Sequence, residues 1–344
     1  GMQPGGVDLP TFPPFALFDP ALGLTSIIPD MDPTRPASAD PRKLHAAIAR
    51  FGVTQLFGSP ALMKVLTDFG LLLPGVQRMT SAGAPVLPVV VAKIRALLPE
   101  TAQFWTPYGA TECLPVAVIE GRELQSTRQD TERGAGTCVG RAVPPNEVRI
   151  IRIVDAPIAD WSGVELLPIG AVGEITVAGP TATDSYFNRE AATRAAKISE
   201  RLADGSTRIV HRMGDVGYFD EQGRLWFCGR KTQRVETAEG PLYTEQVEPV
   251  FNTHPAIRRT ALVGIGEPGH QRPVLCYELL PDIAVSDQEK LVAELKVITL
   301  AHPHTACIET FLRHPAFPVD IRHNAKIGRE KLALWATEKF KGAV

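Results

Sequence analysis

Long apolar runs are missing from this sequence. No stretch reaches the roughly 18 uncharged residues of a membrane-spanning helix, so no transmembrane segment is expected. An excess of either charge is missing too: 36 Lys and Arg against 38 Asp and Glu leave a net charge of −2. That balance gives no electrostatic footprint for nucleic acid or an anionic membrane, and neither is expected as a partner. Cysteines are few, odd in number and scattered, at positions 113, 138, 228, 276 and 307, with no CxxC pair. This excludes a zinc knuckle or a disulfide framework and suits a reduced, cytoplasmic setting. The N-terminus shows no basic-then-apolar signal pattern, and the chain carries no internal repeat and no low-complexity segment.

What is present is ordinary for a folded protein that buries a core: 44% hydrophobic and 22% charged residues over 344 positions. That length predicts about two domains. Asp40-Pro41 opens a helix through Leu44, Ile48 and Phe51, and Gly52 stops it. Residues 53–57, 76–80 and 101–105 read as strands; helices are expected from Ser59 and over 88–98. This alternation predicts a mostly parallel sheet with helices on its faces. From about 141 the pattern changes to short strands (147–154, 173–178, 207–212, 225–227) between Gly and Asp turns, as in a small antiparallel sheet or barrel. After Gly229-Arg230 an α+β unit follows, with a boundary near 230–232 and a last helix over 326–340. The expected class is α/β. A partial N-terminal domain, 1–140 with a β-rich part at 141–230, precedes an α+β C-terminal domain at 231–344.

Five short clusters carry chemistry. Ser81-Ala82-Gly83-Ala84-Pro85 follows a strand, and its small residues let the backbone approach a flat ligand; a plain strand-to-helix turn explains it as well. Tyr108-Gly109-Ala110-Thr111-Glu112 also follows a strand, where α/β sheets bind ligands. Thr111 offers a hydroxyl, and Glu112 a carboxylate able to hold Mg²⁺ against phosphate oxygens. Met213-Gly214-Asp215 puts a carboxylate beside a glycine turn, suited to two ribose hydroxyls; an aspartate in a hairpin turn is the plainer reading. Arg230 follows Gly229 and is either a ribose or phosphate ligand or a solvated charge. Lys326, in Asn324-Ala325-Lys326-Ile327-Gly328-Arg329, is either surface decoration or a charge that neutralises reacting anions.

Order and spacing separate these alternatives. SAGAP at 81, YGATE 27 residues on at 108, MGD 105 further at 213, then GR and a C-terminal lysine form an ordered set. This set resembles the acyl-adenylate-forming superfamily of acyl-CoA synthetases, luciferase and peptide-synthetase adenylation domains. Gly173-Glu174-Ile175, Tyr186-Phe187-Asn188 with Thr193, and His254-Pro255 support the resemblance, which covers nearly the whole chain. Residues 9–36 and 315–335 are most similar to the β-lactone synthetases of bacterial long-chain olefin biosynthesis.

The resemblance implies a set of roles. Gly83, Ala84, Pro85, Tyr108 and Gly109 would bind adenine, Thr111 the α-phosphate, and Glu112 Mg²⁺. Asp215 and Arg230 would take the ribose, and Lys326, on a mobile lid, would bridge carboxylate and α-phosphate. Phe15, Ala16 and Phe18 would shape the channel for a long-chain 2-alkyl-3-hydroxy acid, whose own hydroxyl displaces AMP. Thr232 stands at the hinge, where Asp or Lys is usual, Ala325 replaces a common Gly, and Gln246 replaces a usual Glu. No Ser/Thr/Gly-rich phosphate loop occurs anywhere in the chain. The expectation is therefore part of an AMP-forming ligase that uses ATP, inactive alone, with an uncovered sheet face through which it forms a homodimer or aggregates. The alternatives are an acyl-CoA or acyl-AMP ligase and a non-catalytic adenylate-binding fragment.

Overall fold

Helix caps and alternating strands set the architecture of the computed structural model, which describes residues 2–86, 88–281, 283, 288–319 and 327–341. By compactness the chain groups into two units. The first is built mainly from residues 1–108 with 118–126, and the second from 109–117, 127–318 and the C-terminal helix. This is a different partition from the three sequence segments, because the chain passes from one unit to the other inside a strand.

In the first unit the elements run β1 (Val7–Pro10), α1 (Pro13–Ala16), β2 (Thr25–Ser26), α2 (Pro41–Phe51), β3 (Gln55–Gly58), α3 (Pro60–Phe69), β4 (Arg78–Ser81), α4 (Pro88–Leu97) and β5 (Gln103–Ala110). The strands pair in parallel in the order β2-β1-β3-β4-β5. The helices between them supply the crossovers that parallel pairing requires. Local chemistry sets their ends. The Asp40 carboxylate accepts the Arg42 N–H at 2.9 Å, Pro41 fills the first position, and Gly52 closes α2 at φ 61°. α2 turns Leu44 and Ile48 inward. The sequence reading of α2, α3 and α4 is matched to within a residue or two.

The second unit begins with β6 (Cys113–Glu120), which it shares with the first, as β5 is shared. It continues through α5 (Gly121–Ser126, itself in the first unit), α6 (Arg128–Glu132), β7 (Thr137–Ala142), β8 (Glu147–Ile151), β9 (Gly173–Ala178), α7 (Glu190–Ala196), β10 (Lys197–Arg201), β11 (Thr207–Phe219) and β12 (Leu225–Arg230). Its antiparallel path is β7-β12-β11-β9-β8, with β10 also on β11. The large sheet is thus mixed, parallel in the first unit and antiparallel in the second. β6 and β7 are absent from the sequence reading, and β11 is 13 residues long where a short strand over 207–212 was expected.

The C-terminal part adds the hairpin β13 (Val235–Thr237) and β14 (Gly240–Leu242), then α8 (Thr244–Phe251), β15 (Ile257–Ile265), β16 (Arg272–Leu279), α9 (Gln288–Ala301), β17 (Thr310–Arg313) and α10 (Arg329–Lys341). A smaller sheet, β15-β16-β17, is covered on both faces. The two-residue period sends Leu262, Leu275 and Tyr277 into a core with Val247, Phe251 and Leu295, and Ala261, Val263 and Cys276 into another with Leu332 and Ala336. All five cysteines are free. No helix among the described residues is long and apolar enough to cross a membrane.

Candidate functional site

β11 is the backbone of the site. The expected glycine turn at Met213-Gly214-Asp215 is instead a bulge inside the strand. The ladder with β9 slips between Arg212 and Val216, and that with β12 between Val216 and Gly217. Gly214 sits at φ 66°, and a Cβ there would meet nothing within 4 Å, so glycine serves the backbone angle and not the space. The bulge sets Asp215, which is buried, opposite Arg230 in the ladder, and their side chains pair at 2.9 Å. Gly229, just before that arginine, is required by space: a Cβ would lie 2.3 Å from Thr244 Oγ1.

A cleft of about 260 Å³ opens beside this pair, lined by Glu112, Tyr186, His211, Arg212, Arg230 and Lys231 among others. Glu112 lies in the tight connection between β5 and β6. Gly109 permits that connection, since a Cβ there would come within 2.6 Å of the Cys113 carbonyl. The Tyr186 hydroxyl donates to Glu112 Oε1 at 2.9 Å, and the Thr183 N–H donates to the Glu112 carbonyl at 2.8 Å. Partial burial opposes the Glu112 charge. Its own main-chain N–H, Tyr186 and the charge of Lys197 outweigh that, and the carboxyl is held below its ordinary range. Tyr186, by burial and by this carboxylate, is pushed up to about 12 and stays a donor.

Two cations of the lining are already engaged. Arg212 donates to Glu174 at 2.6 Å and to the carbonyls of Ala156 (2.9 Å), Ala195 (3.2 Å) and Val154; Lys231 reaches the same carboxylate at 3.2 Å. Lys197 and His211 face each other across β10 and β11. Burial, then the Lys197 charge, pushes His211 down to about 4, so it is neutral at pH 7, with Nδ1 3.3 Å from the Ala196 carbonyl. Beyond the Arg212–Glu174–Lys231 cluster, the lining thus offers the ionised Glu112 carboxylate, a neutral imidazole, a phenol and the Arg230 guanidinium, a setting able to take a polar, anionic ligand.

The other expected residues lie as follows. Thr111 is exposed in the turn beside Glu112, and Thr232 is exposed in a short 3₁₀ turn, Lys231–Gln233. Gly83, Ala84 and Pro85 form the loop after β4, with Gly83 at φ 100°, and Tyr108 lies in β5; all four belong to the first unit. So do Phe15, Ala16 and Phe18. Phe15 packs on Phe57 with ring centroids 4.3 Å apart, the Ala16 carbonyl accepts from Ser26 Oγ at 3.4 Å, and Phe18 is 60% exposed. Lys326 and Ala325 lie outside the described residues. Three residues on, Arg329 begins α10 and forks onto Glu248 at 2.5 and 3.0 Å.

Residues 20–187 match the family described as AMP-binding enzyme. Over 338 residues the chain is 75% identical to the olefin beta-lactone synthetase of Xanthomonas campestris pv. campestris, covering 98% of this chain and 61% of that protein. The chain therefore contains a segment that matches the AMP-binding enzyme family. A second relative, the olefin beta-lactone synthetase of Stenotrophomonas maltophilia, is 73% identical over 341 residues, again 61% of its length, so the chain spans about three-fifths of these relatives. The fold is that of the amide bond synthetase of Marinactinospora thermotolerans (TM-score 0.72, 23% identity, 96% of this chain and 62% of that one). It is equally that of the O-succinylbenzoate coenzyme A synthetase of Bacillus subtilis solved with AMP (TM-score 0.72, 20% identity, 96% and 61%).

Sequence reading missed Lys231, His211 and Arg212 as residues of the cleft, and Lys197 as the residue paired with His211 in the strand ladder. None stands in a linear motif. The one available signal for Lys231 is its place directly after Arg230. Lys197 and His211 are 14 positions apart and meet only through strand pairing.

Proposed function

We propose that this chain carries the AMP-handling part of an enzyme that activates a long-chain 2-alkyl-3-hydroxy fatty acid as acyl-adenylate and closes it to a β-lactone. The observation that carries the reading is the buried Asp215 held against Arg230 at 2.9 Å beside the cleft. A carboxylate fixed in this way can accept from two vicinal hydroxyls, the chemistry of a ribose. Arg230 assists, Thr111 meets the α-phosphate, and Gly83, Ala84, Pro85, Tyr108 and Gly109 bind the adenine. Lys326 stabilises the approach of carboxylate and phosphate, which repel one another until a cation lies between them. Phe15, Ala16 and Phe18 take the alkyl chains, and Thr232 is the hinge. The names of the two relatives above 70% identity support the lactone reading.

The donor chemistry fits Mg²⁺ held mainly by phosphate. Among the described residues no three His, Cys, Asp or Glu converge. Glu112 supplies one carboxylate, and Mg²⁺ is commonly held by one or two carboxylates with phosphate oxygens and water. When bound, the ion would neutralise phosphate charge.

The sequence contains no glycine-rich phosphate loop, whose backbone N–H groups and positive charge would hold a triphosphate. Residues 1–344 alone are therefore expected to bind an acyl-adenylate analogue without catalysing ATP–pyrophosphate exchange. Exchange by this chain with long-chain 3-hydroxy acids, at the rate of a full-length enzyme, would overturn that part. In the full-length enzyme, lactone formed without coenzyme A supports the synthetase; a product that appears only as a thioester with coenzyme A supports the ligase.

A further inference from the structure

The phrase Tyr186-Phe187-Asn188 with Thr193 has no role in the roster of ligand contacts above, yet the structure ties it to Glu112. The Tyr186 N–H donates to Thr193 Oγ1 at 3.0 Å, from the first turn of α7, which fixes the backbone that presents the ring. Asn188, at φ 52°, makes the turn between them in the left-handed region that asparagine tolerates. The buried Lys197, at the start of β10, donates to the Thr183 carbonyl and, at 3.1 Å, to Thr183 Oγ1. Its ammonium sits 5.8 Å from the Tyr186 ring centroid. Thr183 in turn donates its N–H to the Glu112 carbonyl, and Cys113 bridges to Ala182. Main chain, ring and hydroxyl thus converge on one glutamate from a loop about 70 residues away.

We propose that Tyr186 is a positioning residue for Glu112: its hydroxyl fixes one carboxylate oxygen, and the Thr193 and Lys197 contacts fix Tyr186. The inference rests on the reading of Glu112 as the carboxylate that meets a metal–nucleotide. A carboxylate has about four lone-pair sites. Here one is taken by Tyr186 and one by the residue's own N–H, which leaves the remainder for a cation that would bind in a single orientation. A carboxylate free to rotate would have to be ordered at each binding event. Partners of this kind typically govern metal affinity by about 10- to 100-fold.

The test uses the full-length enzyme with Mn²⁺ and ATP, reading bound Mn²⁺ by electron paramagnetic resonance and the fold by thermal melting. Tyr186→Phe, Glu112→Gln and the double variant form a cycle. The expected result is a loss of Mn²⁺–ATP affinity of about 10-fold in Tyr186→Phe, an equal or greater loss in Glu112→Gln, and no further loss in the double variant. Thr193→Val, which leaves the cleft untouched, gives a smaller loss and keeps the test available should the phenylalanine variant fail to fold. Affinity within twofold of wild type in Tyr186→Phe, with Glu112→Gln impaired, overturns the positioning role and spares the reading of Glu112. The same loss from Tyr186→Phe in both backgrounds shows a general structural effect and also overturns it. No loss in Glu112→Gln, or no Mn²⁺–ATP signal from the wild type, overturns both.

Discussion

The two compact units bury charge in opposite ways. In the first, the buried charged side chains among the described residues are Asp8 and Asp19, two carboxyl groups hydrogen-bonded to one another, with Ser26 donating to Asp19. In the second, each of several buried carboxylates faces one or more cations. Glu174 has Arg212 and Lys231, Glu200 has Arg149 at 2.6 and 2.7 Å and Arg208 at 2.7 Å, and Glu248 has Arg329. Desolvation disfavours charge in both places, but only the second unit answers it with opposite charge. Identical carboxylates therefore respond oppositely to pH and to mutation, according to what faces them.

Breaking the second pattern has the largest expected effect. Arg212→Met leaves Glu174 with Lys231 alone and removes the arginine donor from the carbonyls of Ala156 and Ala195, while Val154 keeps Lys231 at 3.0 Å. Removing one partner of a buried pair costs about 3–5 kcal/mol, a large share of the stability of most domains. Urea unfolding should show the midpoint collapse, with part of the loss recovered by adding Glu174→Gln. A change below 1 kcal/mol would mean that the pair is not desolvated.

The pH response comes next in size. Burial, then the charge of Asp19, pushes Asp8 up to about 7 from an ordinary value of 3.8. Its folded state holds the proton more tightly than its unfolded state. The stabilisation is complete below pH 3.8 and is lost as pH rises through 7. Glu200 runs the other way. Hydrogen bonds from Arg149, then from Arg208, outweigh burial and push it down to about 2 from 4.5, so its contribution is present above pH 4.5 and lost as pH falls towards 2. Asp8→Asn should flatten the fall in melting temperature between pH 5 and 8.5, and Arg149→Met should reduce the acid limb instead. An Asp8→Asn protein with the wild-type alkaline slope would remove the first unit from the comparison.

The same contrast explains what was legible in the sequence. Asp40-Pro41 and Gly52 state the ends of α2 outright, because a cap is a local arrangement of neighbours. The β–α alternation of the first unit is local in the same sense. β11 was cut short because Gly214 reads as a turn, whereas a bulge absorbs its left-handed backbone inside a strand. β6 and β7 carry Pro115 and Gly140, which weaken the strand pattern. The Glu248–Arg329 and Glu174–Arg212 pairs join residues 81 and 38 positions apart, and no spacing rule reaches that far. Sequence order exposed the residues that resemble a known site. The charges that hold those residues in place became visible only through strand register.

The smallest expected effect sets the lower end of the scale. In the first unit, Asp40 carries its charge at a helix start, where the carboxylate accepts one N–H at 2.9 Å and meets the positive end of α2. Pro41 contributes no N–H, so a single orphaned donor depends on the cap. The site is open to water, and in Asp40→Ala water can replace the lost acceptor. The cost should be about 1 kcal/mol, several-fold below that of Arg212→Met, although each substitution deletes one charge. Urea denaturation gives the global value. Hydrogen exchange of the α2 amides, Leu44 and Ile48 among them, shows whether the loss begins at the helix start. A cost equal to that of Arg212→Met would mean that the first unit also depends on charge at this cap, and the division between the two units would fall.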